Sequence, residues 1–153
     1  MLGYEPDFSK GPPLSDFIWP AEGRIIQPFS SQWHKVRSLW HRGNDGINIS
    51  LPIGTKIKAV GDGTISYVGN GIKNYGQIVI IRHNNGYTSV YAHNSVIKVN
   101  KGDLVKCGDI IAESGKSGNV RSPQLHFELL KAFSPVDPFK YIPKSRMSYI
   151  HYR

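Results

Sequence analysis

The stretch that decides the fold is QIVIIRHNNGYTSVYAH, residues 77–93. It holds two runs rich in β-branched and aromatic residues, and Asn84-Asn85-Gly86 stands between them. Asn and Gly tolerate the positive φ that tight turns demand, while the flanking residue types favour strands. The stretch therefore predicts an antiparallel β-hairpin.

Short strand-like runs separated by glycine turns continue on both sides of this hairpin. GTKIKAV and TISYVG flank Gly61-Asp62-Gly63 upstream, and SVIKV, DIIAESG and LHFELL follow downstream. No segment carries the apolar period of a long helix, and no repeat of solenoid or propeller length is visible. The sequence therefore predicts an all-β, antiparallel domain.

The chain length of 153 residues suits one domain of ordinary size. Residues 1–17 are rich in Pro, Gly and polar groups, which indicates a flexible N-terminal tail. The domain is expected over 18–142. Prolines punctuate the end of the chain, so 143–153 is predicted to be a C-terminal tail that packs only at its start.

Residues 30–43, SSQWHKVRSLWHRG, show no clear strand pattern. They are interpreted as a surface loop or a short helical turn, which could lie over a neighbouring groove. Trp33 and Trp40 within it are either loop anchors or exposed contact residues, since aromatic side chains are common contact residues for proteins and sugars.

Composition narrows the function classes. The net charge of +8 and the pI of about 9.6 favour acidic partners, but no DNA- or RNA-binding motif appears and nucleic acid is not expected. No apolar run approaches the ~20 residues of a membrane span. The N-terminus lacks the basic and apolar regions of a signal peptide, so an export signal or anchor is expected in a longer precursor. Cys107, the single cysteine, excludes an internal disulfide and is expected to be a buried structural thiol.

Side-chain alternation places two histidines on polar strand faces. In PQLHFEL the apolar and polar faces are formed by Leu125, Phe127 and Leu129 and by Gln124, His126 and Glu128. In TSVYAH, Ser89, Tyr91 and His93 are expected on one side of the strand. If the two strands are neighbours, His93 and His126 line one groove.

Five segments in the same order resemble the LytM/lysostaphin-type peptidase domain. They are WPAEGRIIQPF, GINISLPIGTKIKAVGDGTISYVGN, YGQIVIIRHNNGYTSVYAHNS, VKCGDIIAESGKSGN, and LHFEL followed by PVDPFKY. The resemblance implies an antiparallel two-sheet fold, the duplicated hybrid motif, with a central groove. It also implies a zinc site with three protein ligands and an activated water.

Register decides which residues stand at the family's zinc positions. Anchored on the Pro52 and Gly54-Thr55 segment, the family's HxGxD pattern falls on NDGIN, so Asn44 and Asn48 replace the ligand His and Asp. On the HLHFE-like strand, Gln124 replaces a catalytic His. The resemblance leaves His126 at a ligand position and His93 at a catalytic position.

A second register is open three residues upstream, where His41-Arg-Gly-Asn-Asp45 also spells HxGxD. It requires a three-residue insertion before the Gly54-Thr55 turn, and an odd shift turns strand side chains to the other face. If this register holds, the metal ligands are His41, Asp45 and His126.

The first register implies a domain without zinc and without catalytic residues. An amide oxygen is a weak zinc ligand beside imidazole or carboxylate, and a Gln cannot shuttle protons. Such degenerate domains resemble the NlpD/EnvC/DipM-like group, whose members activate cell-wall amidases during cell separation. The resemblance implies a periplasmic amidase activator that acts on peptidoglycan remodelling, with no cofactor. The groove residues expected to bind the partner are Asn44, Asn48, His93, Gln124 and His126.

Two other functions stay open from the sequence. One is an active zinc endopeptidase that cleaves peptidoglycan cross-links through the second register. The other is a peptidoglycan-binding module without regulatory output. The positive charge is compatible with an amidase activator and with a peptidoglycan-binding module, so it does not separate these two functions.

Overall fold

The computed structural model describes residues 16–31 and 43–143, together with the backbone of 34–36, 39–41 and 150–152. Strands and two short 3₁₀ turns make up the regular structure of these residues. The strands are β1 (Gly23–Gln27), β2 (His34–Val36), β3 (Leu39–His41), β4 (Ile47–Ser50), β5 (Lys56–Lys58), β6 (Gly63–Gly69), β7 (Gln77–Arg82), β8 (Tyr87–Ile97), β9 (Leu104–Val105), β10 (Ile110–Ser114), β11 (Gln124–Lys131), β12 (Ser134–Val136) and β13 (Ile150–Tyr152). The expected all-β class is confirmed for the described residues. None of their helical segments is long and apolar enough to cross a membrane.

Eleven strands form one hydrogen-bonded sheet with the order β13-β1-β4-β11-β8-β7-β6-β9. β10 pairs with β8 and β5, and β12 pairs with β11. All of these pairs are antiparallel except β1 with β13, which is parallel. β2 and β3 form a separate two-stranded sheet.

β8 connects the two sheets that the family resemblance implied into one hydrogen-bonded sheet. Its first part pairs with β11 and β7, and its last residues, Asn94–Ile97, pair with β10. The strand is 11 residues long, so it can take part in both halves of the domain. The antiparallel architecture is as expected, but its halves are continuous through β8.

The hairpin predicted for residues 77–93 is confirmed. β7 and β8 are joined by a 3₁₀ turn at Asn84–Gly86. Asn85 has φ 61° and Gly86 has φ 78°, the left-handed conformation that these two residue types accept.

The core lies on the face of the sheet that carries the apolar residues of β4 and β11. Leu125, Phe127 and Leu129 are fully buried, as alternation predicts, and Ile47 and Ile49 of β4 join them. Burying each such side chain contributes about 1.5–3 kcal/mol. A smaller apolar cluster on a different part of the sheet contains Ile78, Val90 and Ala92.

Two local expectations are wrong. Residues 34–36 and 39–41 form the β2–β3 hairpin, whereas a loop or helical turn was expected over 30–43. Strands of three residues are too short to show alternation in the sequence. Trp33 lies outside the described residues, and the structure describes only the backbone of Trp40 and His41. The expected burial of Cys107 in a strand is also wrong: it is exposed in the turn between β9 and β10, where its N–H donates to Asp62 Oδ1 at 2.8 Å.

Both predicted tails contribute to the ordered domain. Phe17, placed in the N-terminal tail, is buried in the core, with its ring centroid 4.9 Å from that of His83. At the other end, β13 pairs with β1, so the expectation that the C-terminal tail packs only at its start is wrong for 150–152. The partner of β13 lies more than a hundred residues away, and no local pattern reveals such a pairing. Residues 1–15, 144–149 and 153 lie outside the described part of the chain.

Candidate functional site

A groove of about 640 Å³ lies above the polar face of β11. β4, β8 and β11 form its floor, and the segments around residues 74–75 and 119–121 form its walls. Its lining is strongly polar and consists of Gln27, Gly43, Asn44, Asp45, Asn48, Asn74, Tyr75, His93, Asn119, Val120, Arg121, Gln124 and His126. All five residues of the first register therefore share one cavity.

Strand pairing sets the floor of the groove. In the antiparallel pair of β4 and β11, Asn48 stands directly opposite His126. Oδ1 of Asn48 and Nδ1 of His126 are 3.2 Å apart, and both residues are more than nine-tenths buried. The position that the first register assigns to a ligand Asp thus lies against the surviving ligand His.

A directed chain of carboxamides connects the groove residues. Asn44 Nδ2 donates to Asn48 Oδ1 at 2.8 Å, and Asn48 Nδ2 donates to Gln124 Oε1 at 2.7 Å. Gln124 Nε2 donates to the backbone carbonyl of Ser122 at 3.2 Å. A carbonyl oxygen can only accept, so the Ser122 end fixes the orientation of every amide in the chain. Asn48 Oδ1 consequently faces His126 as an acceptor, and Nδ1 of His126 donates to it.

The other ring nitrogen of His126 is also engaged. Nε2 lies 2.8 Å from Oε2 of Glu128, and the same oxygen accepts a 2.5 Å hydrogen bond from the Tyr75 hydroxyl. The Tyr75 ring stands edge-on to His126, with the centroids 5.5 Å apart. Polar atoms of the protein therefore hold His126 on both sides.

His93 reaches the groove through a β-bulge. Strict alternation puts it on the face of Tyr91, whose ring packs against core residue Phe127. Between the pairs Val79–Tyr91 and Gln77–Asn94, β8 has one residue more than β7. His93 has φ 69°, and its ring centroid lies 6.2 Å from that of His126. The extra residue turns His93 out of the core, so the face predicted for it from alternation is wrong although its place in the groove is as expected.

The hydrogen bond of the His93 ring defines its tautomer. Nδ1 lies 2.8 Å from the carbonyl oxygen of Ser117, which can only accept, so Nδ1 carries the proton. Burial lowers the pKa of His93 below the usual 6.5 and outweighs the hydrogen bond to Ser117, which raises it. Nearby His126 lowers the pKa further. The ring is therefore neutral near pH 7, and Nε2 keeps a lone pair on the groove side.

The second register is only partly described. Asp45 lines the groove, beside the carboxamide of Asn44. The structure describes only the backbone of His41, which pairs with His34 in the β2–β3 hairpin.

Sequence reasoning missed the groove walls. Asn74, Tyr75, Asn119 and Arg121 come from two loops without a periodic pattern, and no motif marked them. The loops meet through a hydrogen bond from the backbone N–H of Asn119 to the Asn74 carbonyl at 3.0 Å. The only available signal was the glycines nearby: a Cβ on Gly76 would stand 2.4 Å from Ser117, so the close approach of the loops requires glycine.

Comparison with known proteins identifies relatives with this architecture. The profile of peptidase family M23 matches residues 42–138. The lipoprotein NlpD/LppB homolog of Pseudomonas aeruginosa is 41% identical over 134 residues, which are 88% of this chain and 42% of that protein. The murein hydrolase activator NlpD of Escherichia coli is 38% identical over 132 residues, 86% of this chain and 32% of that protein. The cell division protein DipM of Caulobacter vibrioides is 37% identical over 134 residues, 84% of this chain and 21% of that protein.

Solved structures of peptidases superpose on this chain. A zinc containing peptidase from Vibrio cholerae superposes with a TM-score of 0.75 at 32% identity, over 85% of this chain and 42% of that chain. The catalytic domain of lysostaphin from Staphylococcus simulans superposes with a TM-score of 0.58 at 29% identity, over 78% of this chain and 89% of that chain. The chain spans about half or less of the first curated relatives it matches. The resemblance to LytM/lysostaphin-type domains is confirmed, and because the family profile covers more than half of its length, the chain belongs to peptidase family M23.

Proposed function

We propose that this domain activates a cell-wall amidase of the bacterial envelope by binding it in the groove, and that it cleaves no bond itself. The observation that carries the proposal is the carboxamide of Asn48. The first register puts it at the position of the family's anionic ligand, and it is hydrogen-bonded to Asn44, Gln124 and His126. Relatives named murein hydrolase activators support the regulatory part of the proposal.

The donor set of the groove does not fit a hydrolytic zinc. Zinc needs the lone pair of a neutral imidazole, yet Nδ1 of His126 is the donor toward Asn48, and Nε2 faces the Glu128 carboxylate. The two carboxamides offer only neutral oxygens, which are weak zinc ligands. Without a metal-activated water, nothing in this donor set generates the hydroxide that amide hydrolysis requires.

Activation by such a groove is a matter of differential affinity. A binding partner shifts an equilibrium between inactive and active amidase only by as much as it prefers the active state. A preference worth about 2.7 kcal/mol raises the ratio of active to inactive amidase roughly 100-fold. The polar groove suits the docking of one surface element of the amidase.

The proposed substrate of the activated amidase is peptidoglycan, and the proposed location of the domain is the periplasm.

The test combines the purified domain with amidases of the same organism and dye-labelled sacculi. The domain alone should release no dye, and it should stimulate one amidase. Asn119→Trp should abolish stimulation, because Asn119 lines the groove and the indole would fill it. Lys116→Trp is the matched control: it is exposed in the same loop but does not line the groove. Stimulation that survives Asn119→Trp contradicts the proposal.

An active zinc endopeptidase is the second candidate, and the position of Asp45 in the groove favours it. Lysis by the domain alone, lost with a chelator and with Asp45→Asn, would establish that function. Binding to purified sacculi without stimulation of any amidase would instead indicate a peptidoglycan-binding module.

A further inference from the structure

The groove contains an acceptor nitrogen that the protein leaves uncommitted. His93 is only 6% exposed, and its Nδ1 proton is given to the Ser117 carbonyl. Among the described residues, Nε2 has no hydrogen-bond partner, and His93 lines the groove. A lone pair at this site can be satisfied only by a donor on the ligand or by water.

A second acceptor comes from another element of the fold. Asn44 uses Nδ2 toward Asn48, and within the described part of the chain nothing donates to its Oδ1. Asn44 precedes β4, whereas His93 lies in the bulge of β8, so the two acceptors come from separate elements of the groove. Contacts through Asn48 and His126 connect them across the floor.

The charge of the lining agrees with a donor ligand. Among the described residues that line the groove, Asp45 is the only acidic one, and it is the sequence neighbour of Asn44. Arg121, the only Lys or Arg in the described part of the lining, is exposed at the wall. A planar guanidinium carries five N–H donors in a rigid fork, so it can donate to two acceptors that come from separate elements.

We infer that the groove receives an arginine side chain of the partner protein, held by Nε2 of His93 and Oδ1 of Asn44 near Asp45. The inference rests on the proposed function, because it names the chemical group by which the amidase would enter the groove. It also requires that His93 accept rather than donate.

Binding can be tested with three small probes: Nα-acetyl-arginine amide, its neutral isostere Nα-acetyl-citrulline amide, and Nα-acetyl-glutamate amide. With a ¹⁵N-histidine-labelled domain, the arginine probe should shift the Nε2 resonance of His93 saturably. Charge-assisted hydrogen bonds are about twice as strong as neutral ones, so affinity for arginine should exceed that for citrulline by about tenfold. His93→Asn, which tolerates the left-handed φ, should lose this binding, and Lys116→Asn should retain it.

The partner assignment has its own readout. The arginine probe should competitively lower stimulation of the amidase, and citrulline at the same concentration should not. Preference for glutamate, or no saturable shift with arginine, overturns the inference. If the arginine probe binds but stimulation of the amidase persists, the assignment to the amidase is overturned. The same holds if the probe instead displaces the domain from sacculi. If the wild-type domain stimulates no amidase, the proposed function fails, and the resonance of His93 still decides the chemistry of the groove.

Discussion

Restoring two ligands should turn this groove into a zinc site. The double variant Asn44→His and Asn48→Asp supplies the imidazole and carboxylate that the family uses. Two ligands about 2.05 Å from a tetrahedral zinc stand roughly 3.3 Å apart. Asn48 Oδ1 and His126 Nδ1 are already 3.2 Å apart, so the backbone needs no rearrangement at this edge of the tetrahedron. At this edge the spacing suits a metal, and the chemistry of the donors does not.

The size of the effect follows from linkage. A free zinc concentration 100 times the dissociation constant stabilises a native state by about 2.7 kcal/mol. For a chain of this length, each kcal/mol raises the melting temperature by roughly 2–4 °C, so zinc should raise it by roughly 5–10 °C. The comparison is made within the variant, with zinc and with chelator, because loss of the Asn48–Gln124 hydrogen bond costs about 1 kcal/mol in the apo protein.

Zinc content after dialysis and the melting temperature together check this prediction. The variant should hold one zinc, and the wild-type domain should hold none and show no thermal response. Asn74→His with Asn119→Asp is the matched control, since it adds the same residue types to the groove wall away from the ligand positions. A wild-type domain that binds zinc as tightly as the variant would refute the reasoning. Loss of that zinc in Asp45→Asn would then support the second register.

Three further predictions concern the scaffold. Tyr91→Phe should lower the free energy of unfolding by about 2–4 kcal/mol in a denaturant titration, because the hydroxyl accepts from the backbone N–H of Val60 and bonds Ser89, both buried; a loss below about 0.5 kcal/mol contradicts this. Burial lowers the pKa of His83 below 6.5, so the unfolded chain takes up its proton first and stability should fall as pH drops from about 6.5 toward that lowered pKa. His83→Gln should weaken this acid dependence. The check is the melting temperature of both proteins from pH 7 to 5, and an equal fall with pH in the two would contradict the prediction. Gly46→Ala should destabilise strongly, since a Cβ there would lie 2.1 Å from a backbone carbonyl of β11, and a melting temperature within about 2 °C of wild type would contradict that.

Much of the fold could be predicted from local patterns. The alternation in LHFEL separates the core residues Leu125 and Phe127 from His126, and the Asn85-Gly86 turn fixes the β7–β8 hairpin. These features depend on neighbours in the sequence, because side-chain period and turn conformation are local properties. The resemblance to the family added the hypothesis that Asn44 and Asn48 stand at its ligand positions.

The sequence by itself thus determined the all-β class, the polar face of β11 and the identity of the groove's central side chains. Only the tertiary structure decided that His93 turns into the groove, that Ser122 orients the chain of carboxamides, and that the loop of Tyr75 closes one wall. A bulge is visible only against its partner strand, and an amide orientation is set by a carbonyl brought close through folding. These features arise from contacts between segments far apart in the chain, so residue patterns read one segment at a time cannot contain them.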